Sequence, residues 1–385
     1  MKTINDKLKE LYTSNNVRNS IKKIVEYDTE NNTEKNLDGP FYMYCWEEYY
    51  EKVNYKVLYI GQEASGGFLG GVEDKVNTDE KLINKYKHFN MGKEEGNGKE
   101  YRRRSAFWRT VWAINQELNP ELENENCFLW TNVSKYCTTE GKPISYDDHA
   151  WIVKEMNILQ EEIKIANPDV VIFFSGPNYD DKICIQFDDS LVFEQVDETI
   201  PLRELARVKH RKLPENSFRT YHPKYLQIAN KHYYIQLISG YCKGYDILEL
   251  IRNFEIQLKK ISEELNLELY ISNDLGQEDS YFYFHKNNWT VGIGFGFDKT
   301  LVCDFFGGIC AKDLINPLPE NAVNSIQNKF GMSLEPTRNW PFRFQYDEYQ
   351  NWYAPTFDKV KTGELANKIK VKVEEMTEQL NGIAL

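Results

Sequence analysis

Two kinds of hydrophobic pattern alternate along the first two thirds of the chain. One repeats at helical spacing, and the other is a short apolar run of the kind found in buried strands. Helices are predicted over residues 4–26, 106–118, 147–166 and 224–239. Strands are predicted over residues 55–61, 127–132, 169–176 and 218–223. This alternation indicates the α/β fold class, with a three-layer α/β/α domain around a central, mostly parallel sheet.

The pattern changes at about residue 246. A predicted helix over residues 246–265 precedes three aromatic segments that alternate as antiparallel strands do, and further helices follow. The aromatic segments cover residues 281–284, 289–297 and 301–306, and the later helices cover residues 313–330 and 358–382. The sequence therefore predicts an α/β domain over residues 1–245 and a smaller α+β accessory domain over residues 246–385.

The net charge of the 385 residues is −12, which is not what one expects first of a nucleic-acid-binding protein. Positive charge is nevertheless clustered in two places. One is Arg102-Arg103-Arg104, at the end of a long polar insertion over residues 67–104, and the other is a basic stretch between Arg203 and Arg219. Such runs are often solvated faces, but beside a binding site they suit contacts with phosphates.

The seven cysteines are odd in number and include no C-x-x-C pair, which argues against a disulfide framework and against a zinc ribbon. They are expected to be free thiols in a reducing compartment. No apolar run reaches the roughly 18 residues that a membrane span needs, and no apolar signal-peptide core follows Met1. We therefore expect a cytoplasmic protein without a membrane partner.

Three polar features follow directly after predicted strands. The turn from Gly61 to Gly66 presents Glu63 and free backbone amides, Asn132 ends the second strand, and His222 lies at the end of the fourth. Ligands of parallel α/β sheets bind beyond the carboxyl ends of the strands, so these features predict one ligand site. Each also has a purely structural interpretation: a solvated loop acid, a helix cap or turn residue, and a turn histidine.

Four short motifs carry a family resemblance over roughly residues 40–245. They are Ile60-Gly61-Gln62-Glu63, Trp130-Thr131-Asn132, the strand that begins at Asn167-Pro168, and Tyr221-His222-Pro223-Lys224-Tyr225-Leu226. In this order the chain resembles the uracil-DNA glycosylase superfamily. Members of that family have an acid-bearing glycine turn after the first strand, an Asn that reads the base edge, and a His-Pro-Ser motif whose His lies over the base carbonyl.

The resemblance implies a monofunctional DNA glycosylase, a hydrolase of N-glycosyl bonds that flips a pyrimidine out of the DNA and leaves an abasic site. Glu63 takes the place of the water-activating acid, and His222 that of the residue that stabilises the leaving base. The base-binding residues implied are Gln62, Ala64, Phe107 and Asn132. The residues implied to contact the DNA backbone are Arg103, Arg104, Arg211, Lys212 and Lys224.

This sequence departs from the family pattern in ways that concern the substrate more than the fold. Glu63 stands where Asp or Asn is usual, Lys224 replaces the Ser of His-Pro-Ser, and the insertion over residues 67–104 has no counterpart in compact members. Uracil is the default substrate, but these departures favour a bulkier modified pyrimidine, such as one in phage DNA, and hence a role in antiviral defence. Only Cys137 lies near a cysteine of the iron–sulfur branch, so we expect no metal and no cofactor.

Two other functions stay open at this point. A glycosylase-like module without catalytic activity would bind modified nucleic acid and leave it intact. A nuclease whose activity lies in the C-terminal domain would cleave strands with a divalent metal. The sequence does not identify the excised base, the role of residues 246–385 or the oligomeric state.

Overall fold

The computed structural model describes residues 2–30, 37–63, 79–96, 99–229, 233–272, 275–276, 279–299, 303–312, 318–331, 336–346 and 354–381. The chain divides into two compact units, residues 1–242 and 243–385. This division lies close to residue 246, where the sequence pattern changes. Within the described ranges, no helix combines the length and the apolar character needed to cross a membrane.

The first unit has the predicted α/β fold class. Its described helices are α1 (Ile4–Thr13), α2 (Asn15–Glu30), α3 (Glu47–Tyr50), α4 (Asp79–Phe89), α5 (Tyr101–Arg104), α6 (Ala106–Leu118), α7 (Tyr146–Glu155), α8 (Leu159–Ala166), α9 (Asp180–Phe187), α10 (Pro223–Ile228) and α11 (Tyr234–Cys242). Its described strands are β1 (Leu37–Asp38), β2 (Val57–Gly61), β3 (Glu95–Gly96), β4 (Lys99–Glu100), β5 (Leu129–Asn132), β6 (Cys137–Thr138), β7 (Val170–Phe173), β8 (Val192–Gln195), β9 (Leu205–Lys209) and β10 (Asn216–Thr220).

The central sheet of the first unit is mostly parallel. Its described strands lie in the order β5-β2-β7-β10-β9-β8. The first four are parallel neighbours, and β9 and β8 continue the sheet in antiparallel fashion. Counted along the chain, the parallel strands therefore have the order second, first, third, fourth. In such a sheet, ligands bind beyond the carboxyl ends, at the switch between the first and third strands, which here are β2 and β7.

Helices cover both faces of this sheet and complete the α/β/α layers. On one side α6 packs against α10 and α11, and α11 contacts β10. The other group consists of α1, α2, α7, α8 and α9, which pack against one another. Because β2, β5 and β7 lie between these layers, every residue in them is buried, which explains their continuous apolar sequences.

Three of the predicted helices are each divided in two. The first breaks at Ser14, whose backbone N–H caps α1 and whose hydroxyl accepts a hydrogen bond from the Val17 N–H in α2. The others break between α7 and α8 and between α10 and α11. The hydrophobic period continues across each break, so the pattern alone does not reveal it.

The antiparallel strands β8 and β9 were not predicted. The β8 side chains are half-buried or exposed, and β9 alternates apolar residues with Arg207 and Lys209. Neither strand has the continuous apolar run of a central strand. As a result, the basic stretch that begins at Arg203 turns out to be largely the β9–β10 hairpin, which lies inside the sheet next to the edge strand β8.

The second unit is an α+β structure, as predicted. Its described strands β11 (Glu268–Ile271), β12 (Tyr281–His285), β13 (Val291–Lys299), β14 (Cys303–Ala311) and β15 (Phe342–Gln345) form an antiparallel sheet in chain order. Its described helices are α12 (Ile247–Leu265), α13 (Glu320–Phe330), α14 (Ala354–Thr362) and α15 (Glu364–Leu380). Phe282, buried in β12, stacks on Phe295 of β13 with ring centroids 5.4 Å apart and meets Phe254 of α12 edge-on. The alternating aromatic residues therefore form the core between sheet and helix.

Candidate active site

A cavity of about 650 Å³ lies beyond the carboxyl ends of β2, β5 and β10. Its lining includes six of the residues that the sequence singles out: Gln62, Glu63, Phe107, Asn132, His222 and Lys224. These residues come from segments far apart in the sequence, and the parallel sheet brings them together at one edge. Ala64, with Ser65 and Gly66 of the predicted turn, lies outside the described residues.

Asn132 forms the floor of this cavity between neighbouring strands. The backbone N–H of Val133 donates to the Gly61 carbonyl at 2.9 Å, which continues the pairing of β5 with β2 past Asn132. The Asn132 side chain is 1% exposed, and among the described residues its Nδ2 has no hydrogen-bond acceptor. A buried, unsatisfied amide is destabilising, so this group is suited to donate to a ligand that enters the cavity.

Gly61 makes room for the Asn132 side chain. A Cβ atom added to Gly61 would lie 2.5 Å from Asn132 Oδ1, which is closer than van der Waals contact allows. We predict that Gly61→Ala destabilises the unit by about 1–3 kcal/mol through overpacking, measured by urea unfolding. The double variant with Asn132→Ala removes the opposing oxygen, so its loss of stability should be smaller than the sum of the single losses. Strict additivity would show that the clash is not the cause.

Gln62 links the turn that follows β2 to the turn that follows β7 through a hydrogen bond. Its side-chain Nε2 donates to the Ser175 carbonyl at 2.7 Å, and its own carbonyl accepts the Ser134 N–H at 2.9 Å. The backbone that precedes Glu63 is therefore held from both sides, by the turns that follow β5 and β7. This position is the switch between the first and third parallel strands, where the topology predicts a ligand site.

The Glu63 carboxylate is partly buried and accepts a hydrogen bond from the Tyr179 hydroxyl. Burial raises the pKa of Glu63 above its ordinary value, while the Tyr179 hydrogen bond and the positive charge of Lys182 act in the opposite direction. Burial together with the neighbouring carboxylate raises the pKa of the Tyr179 phenol. The carboxylate is thus partly shielded from solvent and oriented, as a group that handles protons in a cleft needs to be.

His222 lies across the cavity as the N-cap of α10. Its Nδ1 accepts the backbone N–H of Lys224 at 3.2 Å, which assigns the proton of the neutral ring to Nε2. Burial is the main cause of a lowered His222 pKa, and the Lys224 charge adds to it. Near neutral pH the ring is therefore uncharged and has one N–H left to donate.

Aromatic side chains form much of the remaining wall. Phe107, on the first turn of α6, stacks against the His222 ring with centroids 5.8 Å apart and an interplanar angle of 27°. Trp108 meets Trp130 edge-on at 4.9 Å. The other aromatic residues of the wall are Phe89 and Tyr101. Of this wall the sequence analysis identified only Phe107: Trp130 stands two residues before Asn132, and Phe89 and Tyr101 belong to the polar insertion, which has no periodic pattern.

Positive side chains lie on three helices that contribute residues to the cavity lining, α5, α6 and α10. The Arg104 guanidinium lies over the Tyr101 ring at 5.5 Å, and the Arg103 side chain is 72% exposed while bonded to Glu100. Arg109, which the sequence analysis missed, donates from α6 to Gln227 of α10 at 3.1 Å. Of the positive side chains, Lys224 lines the cavity, whereas Arg103 and Arg109 line a separate cavity of about 350 Å³.

Arg211 and Lys212 are not brought to this cavity, so their predicted place beside the site is wrong. Strand β9 runs antiparallel to β10, with Leu205 paired to Thr220. Residues 210–215 between the two strands therefore lie at the amino end of β10, opposite His222. There Arg211 is paired with Asp188 at 3.8 Å. Arg219 of the same basic stretch is fully buried and paired with Asp180.

The described lining of the cavity provides a carboxylate, an unsatisfied amide donor, an imidazole N–H and a stacking surface. Such a set can hold a planar polar ring and act on a bond at its edge. Within the described part of the chain, no group of three or more His, Cys, Asp or Glu side chains is arranged to hold a metal ion.

The chain matches no known protein family and no curated protein. The fold and the geometry of the cavity are therefore the basis for assigning a function.

Proposed function

We propose that the first unit is a monofunctional DNA glycosylase that acts on a pyrimidine, as the resemblance to the uracil-DNA glycosylase superfamily implies. The observation that carries this proposal is the convergence of Glu63, Asn132 and His222 on one aromatic-lined cavity. A base attached to a nucleic-acid strand enters such a cavity only after it has been flipped out of the stack.

The flipped base is held by stacking and by hydrogen bonds to its edge. Phe107 supplies a ring parallel to the base plane, and the Asn132 amide supplies one donor and one acceptor. The unpartnered Nδ2 of Asn132 gains its hydrogen bond only when a base carbonyl is present. Because an amide left unsatisfied is destabilising, this pairing favours bases that have an acceptor at that position.

The reaction breaks the bond between the sugar C1′ and the base nitrogen, and its electron pair leaves with the base. The His222 Nε2–H donates to the base oxygen on which negative charge develops. Water forms the new bond to C1′, and the proton that it loses passes to the Glu63 carboxylate, whose negative charge also offsets the positive charge of the sugar. The base anion takes up a proton from solvent on release, and an abasic site remains.

The substrate we propose is a modified pyrimidine rather than uracil alone. The volume of about 650 Å³ lies well within the range of pockets that enclose drug-sized molecules. The lining by Phe89, Tyr101 and Trp108 extends apolar surface beyond the part next to Asn132. A substituted base, such as one in phage DNA, would use this space, and its removal would serve antiviral defence in the cytoplasm.

The test is to incubate the protein with DNAs that carry uracil or one of several modified pyrimidines, followed by alkali. Strand breaks that appear only after alkali, at the modified base, are the expected result. Tight binding without abasic sites would identify an inactive recognition module instead. Strand breaks that need Mg²⁺ and no alkali would identify a nuclease.

We predict that the two exposed arginines near the cavity, Arg103 and Arg104, contact DNA phosphates. Arg103→Ala with Arg104→Ala should weaken duplex binding about tenfold and reduce the slope of log K against log salt by about 0.9 for each phosphate that is no longer neutralised. Arg211→Ala with Lys212→Ala is the matched control, because it removes the same charge at the opposite edge of the sheet. Equal losses of affinity in both pairs would mean that only net charge matters.

A further inference from the structure

Tyr179 is placed beside the cavity by the turn that follows β7. Gly176, in the left-handed region at φ 72°, turns the chain sharply, and its N–H donates to the Thr220 carbonyl at 3.0 Å. A single 3₁₀ turn, Pro177–Tyr179, then leads into α9. The Tyr179 side chain is 8% exposed. A buried tyrosine in this position needs a partner for its hydroxyl.

That partner is the Glu63 carboxylate, 116 residues away in the sequence. The hydroxyl donates to Oε2, and among the described residues Oε1 accepts no hydrogen bond. One oxygen is therefore fixed by the protein while the other stays available to water or substrate. The same two turns are also joined by the Gln62–Ser175 hydrogen bond, so two hydrogen bonds set the position of Glu63.

Lys182 supports Tyr179 from the first turn of α9. Its Nζ lies 4.8 Å from the centre of the Tyr179 ring and donates to the Ile144 carbonyl at 2.9 Å. The Lys182 side chain is almost completely buried, and the charged groups that act on it are Glu63 and Asp148. The buried Lys182 ammonium, beside the Tyr179 ring, favours the ionised form of the Glu63 carboxylate.

We infer that Tyr179 is a positioning residue for Glu63, held by Lys182, in the base-release reaction. The hydroxyl presents the carboxylate with one oxygen toward the cavity, so that the attacking water has a fixed acceptor. Tyr179 itself does not line the described cavity. The inference rests on the proposed function for its role in the reaction, whereas the tie between Tyr179 and Glu63 is independent of it.

Removal of the Tyr179 hydroxyl should change the pKa of Glu63. The Tyr179 hydrogen bond lowers the Glu63 pKa against the effect of burial. Tyr179→Phe should therefore raise the Glu63 pKa. Base release needs the ionised carboxylate, so as the pH falls the variant should lose activity at a higher pH than the wild type. The other titratable groups that act on Glu63 or Lys182 are Asp148, His149 and Cys137. Burial is the main cause of the His149 pKa of about 4 and of the Cys137 thiol pKa of about 12.

The experiment measures single-turnover base release by Tyr179→Phe between about pH 5 and pH 9. We expect a rate about tenfold lower near neutrality and an acidic limb displaced to higher pH. Tyr234→Phe is the matched control, because Tyr234 is also buried and donates to a carboxylate, Glu204, at 2.5 Å outside the cavity. The inference is overturned if the acidic limb of the pH–rate profile does not move in Tyr179→Phe, or if it moves by the same amount in Tyr234→Phe.

A second measurement does not depend on activity. Glu63 is titrated by carboxyl NMR in the wild type, in Tyr179→Phe and in Lys182→Gln, which keeps a donor toward Ile144 but removes the charge. A higher Glu63 pKa in both variants supports the inference even if no base is released, in which case only the proposed function fails. An unchanged Glu63 pKa in both variants overturns it, whatever the enzyme does. If Tyr179→Phe does not fold, Lys182→Gln alone decides by the same criterion.

Discussion

Glu63→Gln should lower the rate of base release by about 10² to 10⁴-fold, the range expected when a general base is lost, and leave the first unit folded. The amide keeps the length of the side chain and still accepts the Tyr179 hydroxyl, but it neither takes a proton nor carries a negative charge. Single-turnover release of the preferred modified pyrimidine, read as alkali-labile breaks, measures the effect.

The matched control for this variant is Glu140→Gln. The Glu140 side chain is 66% exposed, pairs with Lys142, and precedes Gly141 in the cavity lining. Glu140→Gln removes one negative charge near the cavity but leaves the proposed catalytic residues unchanged. Full activity of Glu63→Gln, or an equal loss of activity in Glu140→Gln, would refute the assignment of the base.

Glu63→Gln should also change how the stability of the first unit depends on pH. An acid whose pKa is raised in the folded state, as burial raises that of Glu63, binds its proton more tightly when folded. Its stabilising contribution is present at low pH and is lost as pH rises from the ordinary value of 4.5 through the folded value. In Glu63→Gln this loss should disappear, so unfolding temperatures from about pH 4 to pH 8 should vary less than in the wild type.

The parts of the site that follow strands could be predicted because strands are easily identified. Buried parallel strands give continuous apolar runs, and the residue after each run lies at the same edge of the sheet. Gly61 and Asn132 were found in this way, whereas β10 before His222 has no such apolar run. That Gly61 and Asn132 also touch depends on β2 and β5 being neighbours, and strand order is not encoded in any local pattern.

The parts that were missed or misplaced depend on the course of the chain between strands. Tyr179 and Lys182 stand in a turn and a short helix, where no period marks them as facing Glu63. Arg211 and Lys212 are only about ten residues from His222, and that proximity was misleading. The unpredicted hairpin reverses the chain, and β10, five residues long, separates them from the cavity by roughly 17 Å at about 3.3 Å per residue.

Substitution of His222 should produce the second large loss of activity and separate two roles of one side chain. His222 caps α10 through Nδ1 and offers Nε2–H to the cavity. His222→Ala removes both, so base release should fall about 10² to 10³-fold, as for a lost oxyanion donor, with about 1 kcal/mol of stability lost with the cap. His222→Asn restores the cap, because Asn is a favoured N-cap residue, but its amide is too short to reach where Nε2 points.

We therefore expect His222→Asn to recover the stability and not the activity. The pH dependence gives an independent check, because burial lowers the folded pKa of His222 below the ordinary 6.5. A histidine of this kind contributes stability that is present above pH 6.5 and is lost as pH falls through its folded pKa. Neither variant has this histidine, so the stability of both should fall less on acidification than that of the wild type. Base release should not increase on acidification, since the neutral ring is already the donor. Recovery of activity in His222→Asn would mean that the histidine serves the helix rather than the leaving base.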